Sequence, residues 1–139
     1  MRAEPRWLGK TLVLALHDLL IVEHGGLPGL RDEGLLDSAL ARPRNLWVYG
    51  KPDEFALAAR YAAGIVRDHP FLDGNKRTAF AAACVFLEDN GTRLALAEVE
   101  VVERMVGLAA GVVSEAEFAR WLAAGVTRTK ARGARRRPR

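Results

Sequence analysis

The sequence HPFLDGNKRTAF, residues 69–80, joins a short polar segment to the start of an apolar one. The ten residues from Thr78 to Leu87 carry no charge, which is typical of a helix that is buried on every side. Asn90 and Gly91 follow as a stop signal. This stretch therefore predicts a buried central helix that begins near Asn75 and has a polar loop at its N-terminus.

The sequence before this stretch predicts three helices. Apolar residues at helical spacing mark the first helix, Asp32 begins the second and Asp53 opens the third. Pro43 closes the second helix and Pro70 limits the third, because proline disfavours helix continuation. The predicted bounds are residues 8–24, 32–41 and 53–69.

Two more helices are predicted after the central one. Val99 to Ala110 form an amphipathic segment, and Ser114 with Glu117 makes a capping box that begins the last helix. No run of alternating residues is long enough to demand a sheet. The expected fold is all-α, a bundle of six helices formed by residues 1–127.

Charge is distributed unevenly along the 139 residues, a length that fits one domain. Seven of the 21 basic residues lie in residues 128–139, which leaves 14 basic and 17 acidic residues, a net charge of −3, in residues 1–127. We expect a disordered tail whose charge suits nucleic acid through counterion release. A solvated terminus without a partner is the simpler interpretation.

Membrane and secreted proteins are not the expected class. The longest uncharged stretches have ten residues, whereas a membrane-spanning helix needs about 20. No sustained apolar segment follows the N-terminal charges, so we expect no signal peptide. Cys84 is the one cysteine, which favours a reducing, cytoplasmic location.

The loop that leads into the central helix has the composition of an anion site. Free N–H groups and the helix dipole favour an anion at a helix N-terminus. Gly74 permits close backbone approach, and Lys76 and Arg77 place two cations in the first turn. Cations are unfavourable there unless an anion offsets them, which predicts a polyphosphate ligand. Two solvated cations are the alternative.

Four neighbouring residues supply further candidate chemistry. Asp73 is placed either to bind Mg²⁺ together with phosphate oxygens or to cap the helix. His69 suits proton removal from an attacking hydroxyl, with a structural role as the alternative. We expect Phe71 to point into the core and Arg67 to complete the phosphate site. His17, His24 and Cys84 are interpreted as structural.

HPFLDGNKR closely resembles the motif of the Fic/Doc family, H-x-F-x-[D/E]-[A/G]-N-[G/K]-R, and Lys76 in the variable position is similar to the Doc branch. LHDLLIVEHGGLPGLRDEGLLDSALARP, residues 16–43, resembles the N-terminal region of Doc toxins. With SEAEFARWL, residues 114–122, the resemblance reaches about residue 127. It implies a six-helix Fic/Doc-type bundle with an ATP-binding motif at the start of the central helix.

The resemblance also implies a role for each residue of the motif. His69 would be the base and Asp73 the Mg²⁺ ligand. Lys76 and Arg77 would serve both catalysis and phosphate binding. The residues that would bind the phosphates of ATP are Arg67, Gly74, Asn75, Lys76 and Arg77.

The branch of the family decides the expected reaction. Fic members transfer AMP to a hydroxyl side chain, whereas Doc acts as a protein kinase on a threonine of elongation factor Tu. Here Lys76 replaces the second glycine of G-N-G and Phe80 replaces the second arginine of R-x-x-R. The resemblance thus implies a translation-inhibiting Ser/Thr kinase toxin that uses ATP and Mg²⁺. An AMP transferase is the alternative, and a non-enzymatic nucleic-acid-binding module is the second alternative.

Inhibition is expected from a separate protein. Many Fic proteins carry an inhibitory string, [S/T]-x-x-x-E-[G/N], that is missing from this sequence. The resemblance therefore implies a cognate antitoxin of the Phd type, whose disordered tail would fold as a helix into a groove. We expect the first helix to form one wall of that groove.

Overall fold

The computed structural model describes residues 3–126, which form six α-helices and no β-strand. The helices are α1 (Lys10–His24), α2 (Glu33–Gly50), α3 (Glu54–Asp68), α4 (Asn75–Asp89), α5 (Glu98–Ala110) and α6 (Glu115–Ala124). The predicted all-α fold with six helices is confirmed. The predicted domain boundary at residue 127 and the basic tail lie outside the described residues. Within them, every helix is too short or too polar to cross a membrane.

Helices α3 and α4 form the centre of the bundle. Every residue from Tyr61 to Val66 of α3 is buried, and α4 packs along this helix. The prediction that α4 is buried on every side was wrong for one face. Phe80, Ala81 and Cys84 are only half-buried there, and they line a cavity.

Helix α2 approaches α3 closely at Gly64. A Cβ atom at this position would lie 3.2 Å from Cα of Ala39, closer than side chains usually come. Nη2 of Arg42 lies 3.0 Å from Oδ2 of Asp68, so an ion pair also joins these helices near the end of α3. Small residues thus allow α2 to lie against the segment that leads into the loop.

Helix α2 runs nine residues beyond its predicted end at Ala41, because it passes through Pro43 and continues to Gly50. Proline removes one backbone hydrogen bond from the helix. The residues after it compensate by packing, since Trp47 is buried and its ring contacts Trp7 edge-on with ring centroids 6.5 Å apart. Tertiary contacts therefore outweigh the local stop signal.

Helix α1 buries a different face from the one that its leucines indicate. Val13 and His17 are its fully buried residues. Leu12 and Leu19, two of the apolar residues whose helical spacing predicts this helix, are 39% and 65% exposed. Helical spacing alone predicted that α1 exists, but not which apolar stripe faces the core.

Three N-caps lie where the sequence predicts the helices to begin. The Asp32 carboxylate accepts a hydrogen bond from the Leu35 N–H and begins α2. Asp53 caps α3 in the same way. Ser114 and Glu117 form the predicted capping box of α6. Helix α4 differs, because no side chain caps it.

Candidate active site

A cavity of about 810 Å³ lies at the N-terminus of α4. It is bordered by the loop of residues 69–74, the C-terminal end of α1 and one face of α5. Six of the seven residues that the sequence predicts for the site line this cavity. They are His69, Asp73, Gly74, Asn75, Lys76 and Arg77.

Arg67, which the sequence predicts to complete the phosphate site, is not among the residues that line the cavity. It is exposed in the last turn of α3. Successive helix residues point about 100° apart, and His69 then changes the chain direction. Closeness in sequence to the histidine therefore did not bring the Arg67 guanidinium to the cavity.

His69 has an unusual backbone conformation. It is the C-cap of α3, with φ 52° and ψ 57°, in the left-handed region that non-glycine residues seldom adopt. Nε of Arg31 donates to the His69 carbonyl oxygen at 2.6 Å, and Nη2 of Arg31 donates to the Asp68 carbonyl oxygen at 2.8 Å. These bonds satisfy the last carbonyls of α3 and fix the turn that carries the imidazole.

The connection between α1 and α2 pairs with the loop along its length. The Arg31 N–H donates to the Pro70 carbonyl at 2.7 Å, and the Leu72 N–H donates to the Gly29 carbonyl at 3.1 Å. Leu30 and Phe71 form an isolated antiparallel bridge between them. The loop is thus held by backbone hydrogen bonds from a segment about 40 residues earlier in the chain.

The inner side of the loop rests on His17. Phe71 is buried as predicted, and its ring stacks on the His17 imidazole with ring centroids 3.8 Å apart. Nε2 of His17 lies 2.8 Å from the carbonyl oxygen of Asp73 and must donate, because a carbonyl only accepts. His17 is structural, as predicted, but it supports the site directly. His24 was also predicted to be structural, yet it is exposed and lines the cavity.

Asn75 is buried and bonds to the loop that precedes it. Its Oδ1 accepts from the Phe71 N–H at 3.0 Å, and its Nδ2 donates to the Phe71 carbonyl at 2.9 Å. Nδ2 also lies 3.3 Å from Nδ1 of His69. These three contacts occupy the side-chain amide of Asn75, whose assignment to the phosphate site stays a prediction.

Asp73 does not cap α4, so the structure does not bear out the capping role that the sequence also allowed for this residue. Gly74 is the N-cap, with φ 76°. The Asp73 carboxylate accepts from the Gly74 N–H at 3.0 Å through Oδ1 and from the Leu27 N–H at 3.2 Å through Oδ2. Both oxygens keep lone pairs for a cation. No cluster of three metal-binding side chains occurs in residues 3–126, so a metal here would need ligands from its substrate, as Mg²⁺ usually does.

The cationic side of the cavity suits a polyphosphate. Lys76 and Arg77 are exposed, and neither forms an ion pair within the described part of the chain. Since α4 has no side-chain cap, the N–H groups of its first turn are left for a ligand. Two cations and these donors converge on the cavity beside Asp73.

Another part of the cavity lining is apolar. Phe80 of α4 lies there with Leu96, Val101 and Met105. Cys84 also belongs to this part, and burial raises the pKa of its thiol to about 12. The thiol is therefore protonated near neutral pH and a poor nucleophile, in agreement with its predicted inertness.

Arg31 is the supporting residue that the sequence did not indicate. It lies in the region that resembles Doc toxins, but no local spacing relates it to His69. The distance of 38 positions between the two residues exceeds any helical or turn periodicity. Only the folded arrangement shows that this side chain fixes the histidine.

Comparison with known sequences agrees with this geometry. A model of the Fic/DOC family matches residues 7–87, which include α1 to most of α4 and the whole loop. The chain therefore belongs to the Fic/DOC family.

Two relatives lie within the Doc branch. The chain is 36% identical over 115 residues to "Protein kinase doc" of Escherichia phage P1, covering 82% of this chain and 90% of that protein. It is 47% identical over 77 residues to "Toxin Doc" of Mycolicibacterium smegmatis, covering 53% of this chain and 58% of that protein.

Proposed function

We propose that this protein is the toxin of a toxin-antitoxin system and a Ser/Thr protein kinase. It would transfer the γ-phosphate of ATP to a threonine of elongation factor Tu and so inhibit translation. The proposal is based on one main observation. His69, Asp73 and the cationic first turn of α4 line a single cavity, in a chain related to a protein named as a kinase.

Each group at the cavity has a part in this reaction. Lys76, Arg77 and the uncapped N–H groups of α4 would hold the phosphates of ATP. Asp73 would hold Mg²⁺, which neutralises phosphate charge when it is bound. His69 would take the proton from the attacking hydroxyl. Arg31 keeps the backbone of His69 in place while this proton moves.

Phe80, in the apolar part of the cavity lining, favours phosphate transfer over AMP transfer. Phe80 occupies the position where the AMP-transferring branch has a second arginine, and its side chain cannot bind phosphate. The Phe80 ring instead contacts Trp121 of α6, with ring centroids 6.4 Å apart. Phosphate binding is thus concentrated at the start of α4, where Lys76 and Arg77 lie.

The test uses ATP labelled at either the α- or the γ-phosphate, incubated with the protein, Mg²⁺ and elongation factor Tu. We expect label on elongation factor Tu from γ-labelled ATP only. Transfer from α-labelled ATP would contradict the kinase and establish the AMP transferase. The variant His69→Ala should lose transfer and toxicity. His24→Ala, which changes another histidine that lines the cavity, is the matched control and should retain transfer.

An antitoxin of the Phd type is the partner that we propose for α1. Leu12, Ala15, Leu19 and Val22 are all exposed, and their spacing places them on one stripe of the helix. An amphipathic helix of the antitoxin would bury this stripe. Leu19→Asp combined with Val22→Asp should abolish neutralisation by the antitoxin without changing phosphate transfer. Full neutralisation of this variant would exclude α1 as the binding surface.

The basic tail is proposed to be accessory. Its residues lie outside those that the structure describes, so the proposal rests on their sequence alone. Deletion of residues 128–139 should leave phosphate transfer and toxicity intact. Loss of toxicity with transfer intact would favour nucleic-acid binding as the function. We also propose that residues 1–127 form the Fic/Doc domain. The protein would act in the cytoplasm.

A further inference from the structure

The side-chain amide of Asn75 has a single possible orientation. The Phe71 N–H can only donate and the Phe71 carbonyl can only accept. These groups lie 3.0 Å from Oδ1 and 2.9 Å from Nδ2 of Asn75. Exchanging the two amide atoms would set donor against donor and acceptor against acceptor. Nδ2 is therefore the atom that faces His69.

This orientation determines the position of the proton on the neutral His69 ring. Nδ2 of Asn75 carries two hydrogens: one is donated to the Phe71 carbonyl, and the other is available to Nδ1 of His69, which lies 3.3 Å from Nδ2. An N–H donor requires a lone pair on the atom that it faces, so Nδ1 is unprotonated. A neutral imidazole with an unprotonated Nδ1 carries its hydrogen on Nε2.

We propose that Asn75 is a positioning residue that holds neutral His69 in the Nε2–H tautomer. His69 lines the cavity, and among residues 3–126 its Nδ1 is the ring nitrogen that has a hydrogen-bond partner. The unliganded site therefore offers an N–H donor from Nε2, which suits an oxygen atom of a bound phosphate.

The tautomer has a consequence for proton removal, and this consequence rests on the proposed function. To take a proton from a hydroxyl at Nε2, the ring must first release its Nε2 proton to solvent water and take up a proton from water at Nδ1, since His69 is exposed. Nδ1–H and the Asn75 N–H cannot face each other, so the contact between these residues must break. Ligand binding that shifts Asn75 or His69 would thus allow the imidazole of His69 to change tautomer and to act as a base at Nε2.

The tautomer is measured directly in the free protein by long-range ¹H–¹⁵N NMR of the histidine rings. At about pH 9 imidazoles are neutral, and the signals of His69 are assigned by their loss in His69→Gln. We expect a lone-pair nitrogen shift at Nδ1 and an N–H nitrogen shift at Nε2. The opposite assignment, or equal averaged shifts, would overturn the proposal. A failure of phosphate transfer would leave this measurement unaffected, so the two proposals fail separately.

Asn75→Asp tests the role of the amide itself. One carboxylate oxygen can still accept from the Phe71 N–H, whereas the other replaces Nδ2, so it loses the bond to the Phe71 carbonyl and faces Nδ1 of His69 as an acceptor. The ring hydrogen should then move to Nδ1, which inverts the two nitrogen shifts. An unchanged His69 spectrum in this variant would show that Asn75 does not set the tautomer. If the variant does not fold, the wild-type spectrum decides the proposal alone.

Asn90→Asp is the matched control. Asn90 also lies at an end of α4, and its amide bonds to backbone atoms of Arg6 and Phe86. It contacts no histidine in the described part of the chain. The His69 nitrogen shifts should be the same in this variant as in the wild type, and a change would mean that general loosening of α4 moves the tautomer.

Discussion

Nε of Arg31 donates a hydrogen bond to the carbonyl oxygen of His69 at 2.6 Å. The same guanidinium donates to the Asp68 carbonyl at 2.8 Å. A cation at the C-terminus of α3 is favourable for the helix dipole, and here it also holds the left-handed turn at His69. Arg31 therefore acts on the imidazole through the backbone, without a contact between the two side chains.

Replacing Arg31 with alanine should lower phosphate transfer by roughly 100-fold, because a displacement of about 1 Å at a reacting group has that effect. Arg31→Lys should rescue it only partly, since lysine cannot bond both carbonyls with one planar group. Initial rates of γ-phosphate transfer to elongation factor Tu measure this. Arg93→Ala is the control, because Arg93 is exposed and pairs only with Glu88 among the described residues. Equal rates for Arg31→Ala and the wild type would refute the role.

Replacing His17 with phenylalanine should lower the free energy of unfolding by about 1 to 3 kcal/mol. Phenylalanine can keep the stacking on Phe71, but it cannot donate to the Asp73 carbonyl. Urea denaturation gives the difference. His24→Phe, at an exposed position of the same helix, should change stability by less than about 0.5 kcal/mol. Similar losses in both variants would contradict the importance of the Asp73 bond.

Replacing Asp73 with asparagine should weaken Mg²⁺ binding and also disturb the loop. Both carboxylate oxygens accept backbone N–H groups, from Gly74 and Leu27. An amide has one acceptor oxygen, so one N–H loses its partner in addition to the lost charge. We expect no transfer at Mg²⁺ concentrations that saturate the wild type. Asp18→Asn, at an exposed carboxylate of α1, controls for net charge, and wild-type Mg²⁺ dependence in Asp73→Asn would exclude Asp73 as the ligand.

The Cys84 thiol should make the folded protein less stable at alkaline pH. Burial first, and then the Glu88 carboxylate, raise the pKa of this thiol from the ordinary 9.0 to about 12. Between these values the unfolded chain loses the thiol proton while the folded protein keeps it. The folded state thus binds more protons, and its stability falls as pH rises. Cys84→Ala removes this contribution.

Urea denaturation of the wild type and Cys84→Ala at several pH values above about 9 tests whether the thiol lowers the stability as pH rises. The wild type should lose more stability per pH unit than Cys84→Ala, even if alanine changes the stability by a constant amount. Parallel curves for the two proteins would show that the thiol pKa is similar in the folded and unfolded states.

The parts of the fold that follow local rules were predictable. Asp32 and Ser114 bond to N–H groups three residues away, so the sequence alone contains both partners. Pro43 misled the prediction because burial of Trp47, which depends on other helices, outweighs the lost hydrogen bond. Neighbouring helix residues also differ, since Val13 is buried and Leu12 exposed. Only packing distinguishes these two apolar side chains.

The same distinction between local and long-range contacts applies to the candidate site. Asp73 to Arg77 lie together at one helix N-terminus, as their order in the sequence predicts, and their chemistry stays a prediction. Arg67 is exposed and lies outside the cavity lining, because the direction of a side chain at a helix end depends on the turn that follows. Arg31 was missed, because its bond to His69 closes a long loop. Long-range hydrogen bonds carry no sequence periodicity from which to predict them.

The backbone pairing between residues 29–32 and 69–72 also limits how this site can be transferred to other proteins. A grafted HPFLDGNKR segment would bring the imidazole, the carboxylate and both cations. It would leave behind Arg31 and the carbonyl of Gly29, which hold the loop from outside the motif. His69 would then relax from its left-handed conformation. The smallest unit that keeps this geometry is therefore the loop together with the α1–α2 connection, because the motif alone lacks the groups that fix the backbone of its histidine.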